Sequence, residues 1–267
     1  MKKTDKTWLL IPVLIFLYAP ILILTFYSFT DATQIGAIRG FSLHNYVTLF
    51  TTPELQSMIL GTLALTCVSA VIATILGTLG AIGAFYSGKK MSAYINTVNE
   101  IPVVNADVVT GFSICILLVV VFGISKDTYI PLVVGHVTLC APFVFLSVIP
   151  KLKQMDPSIY EAALDLGATP STALRSIVIP QISSGIVSGF AMAVTLSLDD
   201  YFIATYTKPA TFDTISTYVV NATKGSQTAI KTALWALSAV IFVLVVLFVL
   251  GSNLSAIRKE KKERAGA

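Results

Sequence analysis

Residues 55–88 read LQSMILGTLALTCVSAVIATILGTLGAIGAFYSG, thirty-four residues without one charged side chain. A span of a bilayer needs only about 20 predominantly apolar residues. Working outward, the same property recurs at Trp8–Phe29, Thr128–Pro150, Ser176–Leu198 and Thr232–Ile257, and at Ile101–Ser125 with the single charge Asp107. These six windows hold 153 of the 267 residues, and 31 of the 32 charges fall in the other 114. Those remaining residues are charged at about the density of an ordinary soluble domain. The chain is therefore two populations, membrane spans and water-facing loops. A soluble globule, a disordered chain, a collagen and a disulfide scaffold are excluded by the same figures.

Backbone groups in lipid must bond to one another, which leaves helices or closed barrels. Windows of 22–34 residues without alternation predict helices, because barrel strands are about 10 residues long and alternate. The fold class is all-α and polytopic, with a six-span domain over residues 8–257 between a short N-terminus (1–7) and a basic tail (258–267). The first window follows Lys2, Lys3 and Lys6. It is longer than a signal-peptide core and no small-x-small site follows it, which predicts an uncleaved first span. Thirteen Lys and Arg residues lie in the termini and the second and fourth loops, against five on the other side. The positive-inside rule then places both termini in the cytoplasm. The basic balance is topological and carries no argument for nucleic acid. Cys67, Cys115 and Cys140 all fall inside spans without metal or redox spacing, which reads as buried free thiols.

Two stripes of small residues recur every fourth position: Ser69, Ala73, Gly77 and Ala81 in the second window, and Gly185, Gly189, Ala193 and Ser197 in the fifth. Such stripes let helix backbones approach closely in lipid, either within this chain or against a second membrane subunit. The segment from Asp199 to about Lys231 is a long external connection with Tyr201, Phe202, Tyr206, Phe212 and Tyr218. Its length argues for structure or function of its own, its aromatics sitting at the membrane interface or facing a ligand or partner.

The loop 151–176 is the most informative stretch. Asp156 or Ser158 can cap a helix start, Pro157 suits a first turn, and Ser158 with Glu161 has capping-box spacing. Ile159, Ala162, Ala163 and Leu166 form one apolar stripe by helical spacing. Gly167 is placed to end the helix in a left-handed turn, and Thr169-Pro170 starts another. The expectation is helix–Gly–helix on the cytoplasmic face, with an apolar stripe that needs a cover from this chain or a docked protein.

Candidate chemistry is sparse. Gly83 to Lys90 nearly matches a phosphate-binding loop, but Lys90 stands where Ser or Thr must be and an apolar helix precedes it in place of a strand. An acidic pair at Asp199-Asp200 lacks the third acid of a DDxxD metal site, the position being Ile203. With only His44 and His136 in the chain, no metal-ligand set exists in the sequence, and His136 reads as a hydrogen-bonded helix contact. Carboxylates near lipid are costly and need a partner or water. Asp107, about 9 Å beyond Ile101 on a continuous helix, and Asp199 with Asp200 at the far end of the fifth window would set negative charge at two depths. They read as structural caps and solvated exits, or as a path that attracts ammonium groups, with Tyr201 a cation–π neighbour.

Glu161-Ala162-Ala163, then Gly167, then Ile177-Val178-Ile179-Pro180 resembles, in element and spacing, the EAA loop of permease subunits of binding-protein-dependent ABC importers. It departs only at Ile179, where the family usually has Leu. The resemblance implies a MetI-like permease fold of six transmembrane helices in the inner membrane. It implies three partners, namely a second homologous permease subunit, an ABC ATPase dimer that carries the ATP and Mg²⁺, and an extracellular substrate-binding protein. No cofactor is then held by this chain, which is no enzyme itself. The helix before Gly167 becomes the coupling helix, with Glu161, Ala162, Ala163, Asp165 and Gly167 serving contact with the ATPase. Within the family, Pro150-Lys-Leu-Lys153, Glu161–Ala168, Thr195–Asp200, and His136 with Pro142-Phe143 are similar to the spermidine/putrescine branch. Asp107, Asp199, Asp200 and Tyr201 are then the candidate substrate-path residues. Permeases for iron or for anions share the loop, and a passive channel or secondary carrier is the alternative outside the family.

Overall fold

A computed structural model describes residues 10–32, 36, 40–224, 232–243 and 246. The expected N-terminus 1–7 and basic tail 258–267, with the end of the sixth window, lie outside the described residues. The described elements are helices: α1 (Leu10–Ser28), α2 (His44–Thr51), α3 (Pro53–Tyr86), α4 (Lys89–Val104), α5 (Asp107–Cys115), α6 (Ile130–Gln154), α7 (Pro157–Asp165), α8 (Pro170–Ala173), α9 (Ile179–Asp199), α10 (Phe202–Thr207), α11 (Ile215–Lys224) and α12 (Thr232–Val243). Wider π turns extend α5 over Ile116–Val121 and join α8 to α9 over Leu174–Val178. The one antiparallel pairing among the described residues joins Thr30 and Phe41.

Three helices are long and apolar enough to cross a bilayer, Pro53–Tyr86, Ile130–Gln154 and Pro170–Asp199. They coincide with the second, fourth and fifth windows. The third window is not one straight helix. Lys89–Val104 and Asp107–Val121 are together apolar enough to cross, but they meet at an angle of 104°, the geometry of a broken span or a re-entrant loop. The first and sixth windows contribute the shorter apolar helices Pro12–Ser28 and Thr232–Val243.

The chain divides into two compact units. In residues 57–218, α6 is the central element. Leu132, His136, Cys140, Val144, Val148 and Leu152 recur every fourth residue along it and all are fully buried, a single i±4 ridge. Both small-residue stripes close on this ridge from different sides. A Cβ on Gly77 of α3 would stand 2.6 Å from the Ala141 carbonyl oxygen and 2.7 Å from the Val144 Cβ. One on Gly189 of α9 would stand 3.0 Å from Val144 Cγ1, and one on Gly185 3.0 Å from the Ser147 carbonyl oxygen. The glycines of both stripes thus pack within this chain. With no side chain at those positions, backbones meet directly and gain dispersion contacts that lipid tails cannot match.

In the unit formed by residues 1–56 and 219–267, Asn45 of α2 is buried and donates to the carbonyls of Ser28, the last residue of α1, and Thr30. Ser28 and Tyr46 share a further hydrogen bond at 2.8 Å. Tyr27 meets Trp235 edge-on, and Tyr18 meets Phe242, so α1 and α12 are matched by aromatic side chains.

Candidate functional site

The loop after α6 folds as helix, left-handed glycine, helix. The Asp156 carboxylate accepts from the Ser158 amide at 3.0 Å, with Pro157 in the first turn of α7. Hydrogen bonds from the Ser158 side chain and amide hold that carboxyl below its ordinary range. Asp156, not Ser158, is the cap. At the other end Gly167 has φ +87°. Its amide donates to the Leu164 carbonyl at 2.9 Å, and the Ala168 amide to the Ala163 carbonyl at 3.0 Å, the paired bonds of a Schellman end. Thr169 caps α8 through the Thr172 amide.

The apolar stripe read from the sequence is divided. Ala163 is buried, Tyr160 lies against Tyr86 with ring centroids 4.8 Å apart, and Ile159, Ala162 and Leu166 face outward. Leu166 is 89% exposed. The Schellman turn swings Leu166 off the inner face, which periodicity alone does not register. Glu161 and Asp165 are exposed on the same short helix, so this chain leaves a mixed apolar and acidic face on α7 uncovered.

Asp107 is not six residues into a continuous helix. The chain breaks at Asn105-Ala106, and Asp107 is the first residue of α5. Pro102 sits in the last turn of α4, where proline removes a helix bond and favours a bend. Asp199 ends α9, as expected, and is exposed, as is Asp107. The connection after it is folded rather than open. α10 lies against α5 and α6, with Ile203 as a wedge: a Cβ on Gly111 would come 2.9 Å from the Ile203 Cα, and one on Gly135 2.6 Å from Ile203 Cγ2. Asp107 stands one turn before this crossing on α5, and Asp199-Asp200 about one turn before it in sequence, where α9 ends and the chain leads into α10. The three acids therefore flank one helix crossing, that of Gly111 with Ile203.

Asp200 is buried. Its Oδ1 accepts from the Ile203 amide at 3.1 Å and its Oδ2 from the Ala204 amide at 2.7 Å, which caps α10. His136 Nε2 lies 3.5 Å from Oδ2, within ion-pair reach but beyond a hydrogen bond. His136 Nδ1 is 2.9 Å from Ser197 Oγ, and Ser197 donates to Thr66 Oγ1 at 3.3 Å. The expected helix contact of His136 is thus present, and it joins α3, α6 and α9. Its approach to Asp200 was not legible: no spacing rule connects residues 66, 136, 197 and 200.

Tyr201 is the N-cap residue of α10 and meets the Phe202 ring at 5.3 Å. Tyr206 meets Phe112, and Phe212 meets Tyr129 and covers Gly61. These aromatics pack within the unit. Lys208 pairs with Asp213 at 3.0 Å, the Ile215 amide donates to Thr62 on α3, and Ser216 donates to the Leu198 carbonyl on α9. Among the described residues no group of His, Cys, Asp and Glu is arranged to hold a metal ion.

The family described as "Binding-protein-dependent transport system inner membrane component" matches residues 73–258. The chain belongs to that family: it is a multi-pass membrane permease subunit of an ABC importer. It is similar to the putrescine transport system permease protein PotI of Escherichia coli strain K12, 36% identical over 200 residues, 72% of this chain and 70% of that one. It is also similar to the spermidine/putrescine transport system permease protein PotC of Haemophilus influenzae, 30% identical over 239 residues, 90% of this chain and 91% of that one. A solved bacterial ABC transporter involved in the import of the acidic polysaccharide alginate has a chain that superposes with TM-score 0.70 at 21% identity, covering 93% of this chain and 96% of that one. At that identity the likeness concerns the fold alone.

Proposed function

We propose that this chain forms part of the membrane path of an ATP-driven importer for putrescine or spermidine, acting by alternating access. Six spans with both termini in the cytoplasm fit the loop charges. ATP and Mg²⁺ belong to a partner ATPase dimer. The exposed face of α7, with Glu161, Ala162, Asp165 and Leu166 outward and Ala163 anchored inward, suits a groove on that partner. The Gly167 turn fixes the angle at which α7 is presented, and closure of the ATPases would move α7 and the spans together as a rigid lever. A second permease subunit and an extracellular binding protein complete the assembly.

The observation that carries the substrate reading is that Asp107, Asp199 and Asp200 flank one helix crossing, that of Gly111 with Ile203. Carboxylates so placed repel an anion and attract an ammonium group. Asp107 and Asp199, both exposed, are the direct contacts in this proposal, with Tyr201 supplying a ring face and Asp200 adding negative potential from behind. The names of the similar permeases favour the same substrates. The test is the complete importer in liposomes, supplied with ATP, its binding protein and radiolabelled putrescine or spermidine. Concentrative uptake of either is expected. Uptake of iron or an anion with neither polyamine carried would overturn the substrate reading, and ATP-independent uptake by this chain alone would replace the importer mechanism with a carrier.

A further inference from the structure

The buried chain of polar groups His136, Ser197 and Thr66 takes no part in the proposed substrate path. It lies in an expensive place. Every other member of the fourfold ridge on α6 is Leu, Cys or Val, and a histidine there costs the desolvation of a ring whose Nε2 has no hydrogen bond among the described residues. An apolar side chain would fill the ridge more cheaply.

What Nε2 faces is the Asp200 carboxylate, whose side chain is 3% exposed. That carboxylate has two backbone amides of α10 on it, from Ile203 and Ala204. Among the described residues His136 is the side chain that brings a potential donor or positive charge to it. α10 itself is six residues long, too short to hold its own shape without tertiary support. It carries Ile203, whose seat between Gly111 and Gly135 fixes α5 against α6.

We infer that His136 is a positioning residue: bonded to Ser197 on α9 and facing Asp200 at the head of α10, it sets where α10 and, through Ile203, the broken helix α5 sit on the α6 ridge. For its consequence in transport the inference rests on the proposed polyamine path. For its structural content it does not. Asn at 136 has an amide near the Nδ1 position and can keep the Ser197 contact, but it stops short of Asp200. Gln is longer and can present an amide to Asp200. The two variants separate the two contacts.

The experiment uses the full importer, with Cys67, Cys115 and Cys140 replaced by Ala, and two engineered cysteine pairs. Phe112→Cys with Tyr206→Cys reports the α5–α10 packing, where the native rings are 5.8 Å apart. Tyr86→Cys with Tyr160→Cys is a remote control, where they are 4.8 Å apart. With His136→Asn the oxidative cross-linking rate at 112/206 is expected to fall about fivefold, the scale of one lost buried polar contact, with the control pair unchanged. With His136→Gln it should stay within about twofold of the parent. Putrescine uptake should follow the cross-linking rate. Equal cross-linking in the Asn, Gln and parent proteins overturns the inference, as does a fall shared by the control pair. Altered cross-linking with unaltered putrescine uptake overturns its transport consequence. A parent importer that carries no putrescine yet shows the cross-linking difference defeats the polyamine reading and leaves the positioning role standing. If His136→Asn does not assemble, Asp200→Asn is measured in the same way, with the same fall expected and an unchanged rate counting against the inference.

Discussion

Gly167 and Asp199 are the residues on which single substitutions should speak most clearly. At φ +87° a β-branched side chain pays about 1–2 kcal/mol for the left-handed backbone, and nothing lies within 4 Å of the added Cβ, so the effect is on the turn and not on packing. Gly167→Val is therefore expected to leave the amount of assembled importer nearly unchanged and to weaken stimulation of ATP hydrolysis by the loaded binding protein. Unchanged stimulation would remove the turn from the coupling proposal. Asp199→Asn keeps volume and removes charge at an exposed position. It should lower putrescine uptake severalfold at equal membrane abundance, while parental uptake would take the residue out of the path. The residue scale also shows the limit of pattern reading. The glycine turn, the Thr169 cap and the end of α9 at Asp199 were legible because each is a local backbone rule. Asp107 was misplaced by a break that a single Pro102 favours but does not dictate.

At the scale of elements, the fold depends on how closely α3 and α9 approach α6. Gly77→Ala places a methyl 2.6 Å from a backbone oxygen, which cannot retreat without moving a helix. Overpacking of this kind costs about 1–3 kcal/mol, and the thermal midpoint of the purified importer should drop. Gly83→Ala on the same helix meets nothing within 4 Å; there alanine should be neutral or stabilising by about 0.5–1 kcal/mol. Equal midpoints for the two variants would contradict the packing described for α3. Both stripes were visible in the sequence at fourfold spacing. What they packed against was not, because a stripe of small residues states how near a partner can come and leaves the partner unnamed. The third apolar segment is read in the same way. Lys89–Val104 and Asp107–Val121 are together apolar enough to cross, and composition does not show the 104° bend between them, one turn before α5 meets Ile203 at Gly111.

For the whole molecule, the distribution of Lys and Arg makes a prediction about orientation. In right-side-out vesicles with the native cysteines replaced, a membrane-impermeant maleimide should label Lys126→Cys and spare Lys153→Cys until the membrane is opened. The reverse pattern would invert the topology. The sequence by itself determined that the chain is helical and membrane-embedded, where its windows lie, and that a helix–glycine–helix loop follows the fourth of them. Hydrophobicity, caps and left-handed turns act over a few neighbouring residues and can be read in order. Only the tertiary structure decided that Asp107, Asp199 and Asp200 flank one helix crossing, that Asp200 is spent on capping α10, and that His136 stands beside it. Apart from the cap itself, those relations join residues 64 to 93 positions apart, and they exist because Gly111 on α5 and Gly135 on α6 let backbones close to contact distance, a cooperative outcome that no local pattern encodes.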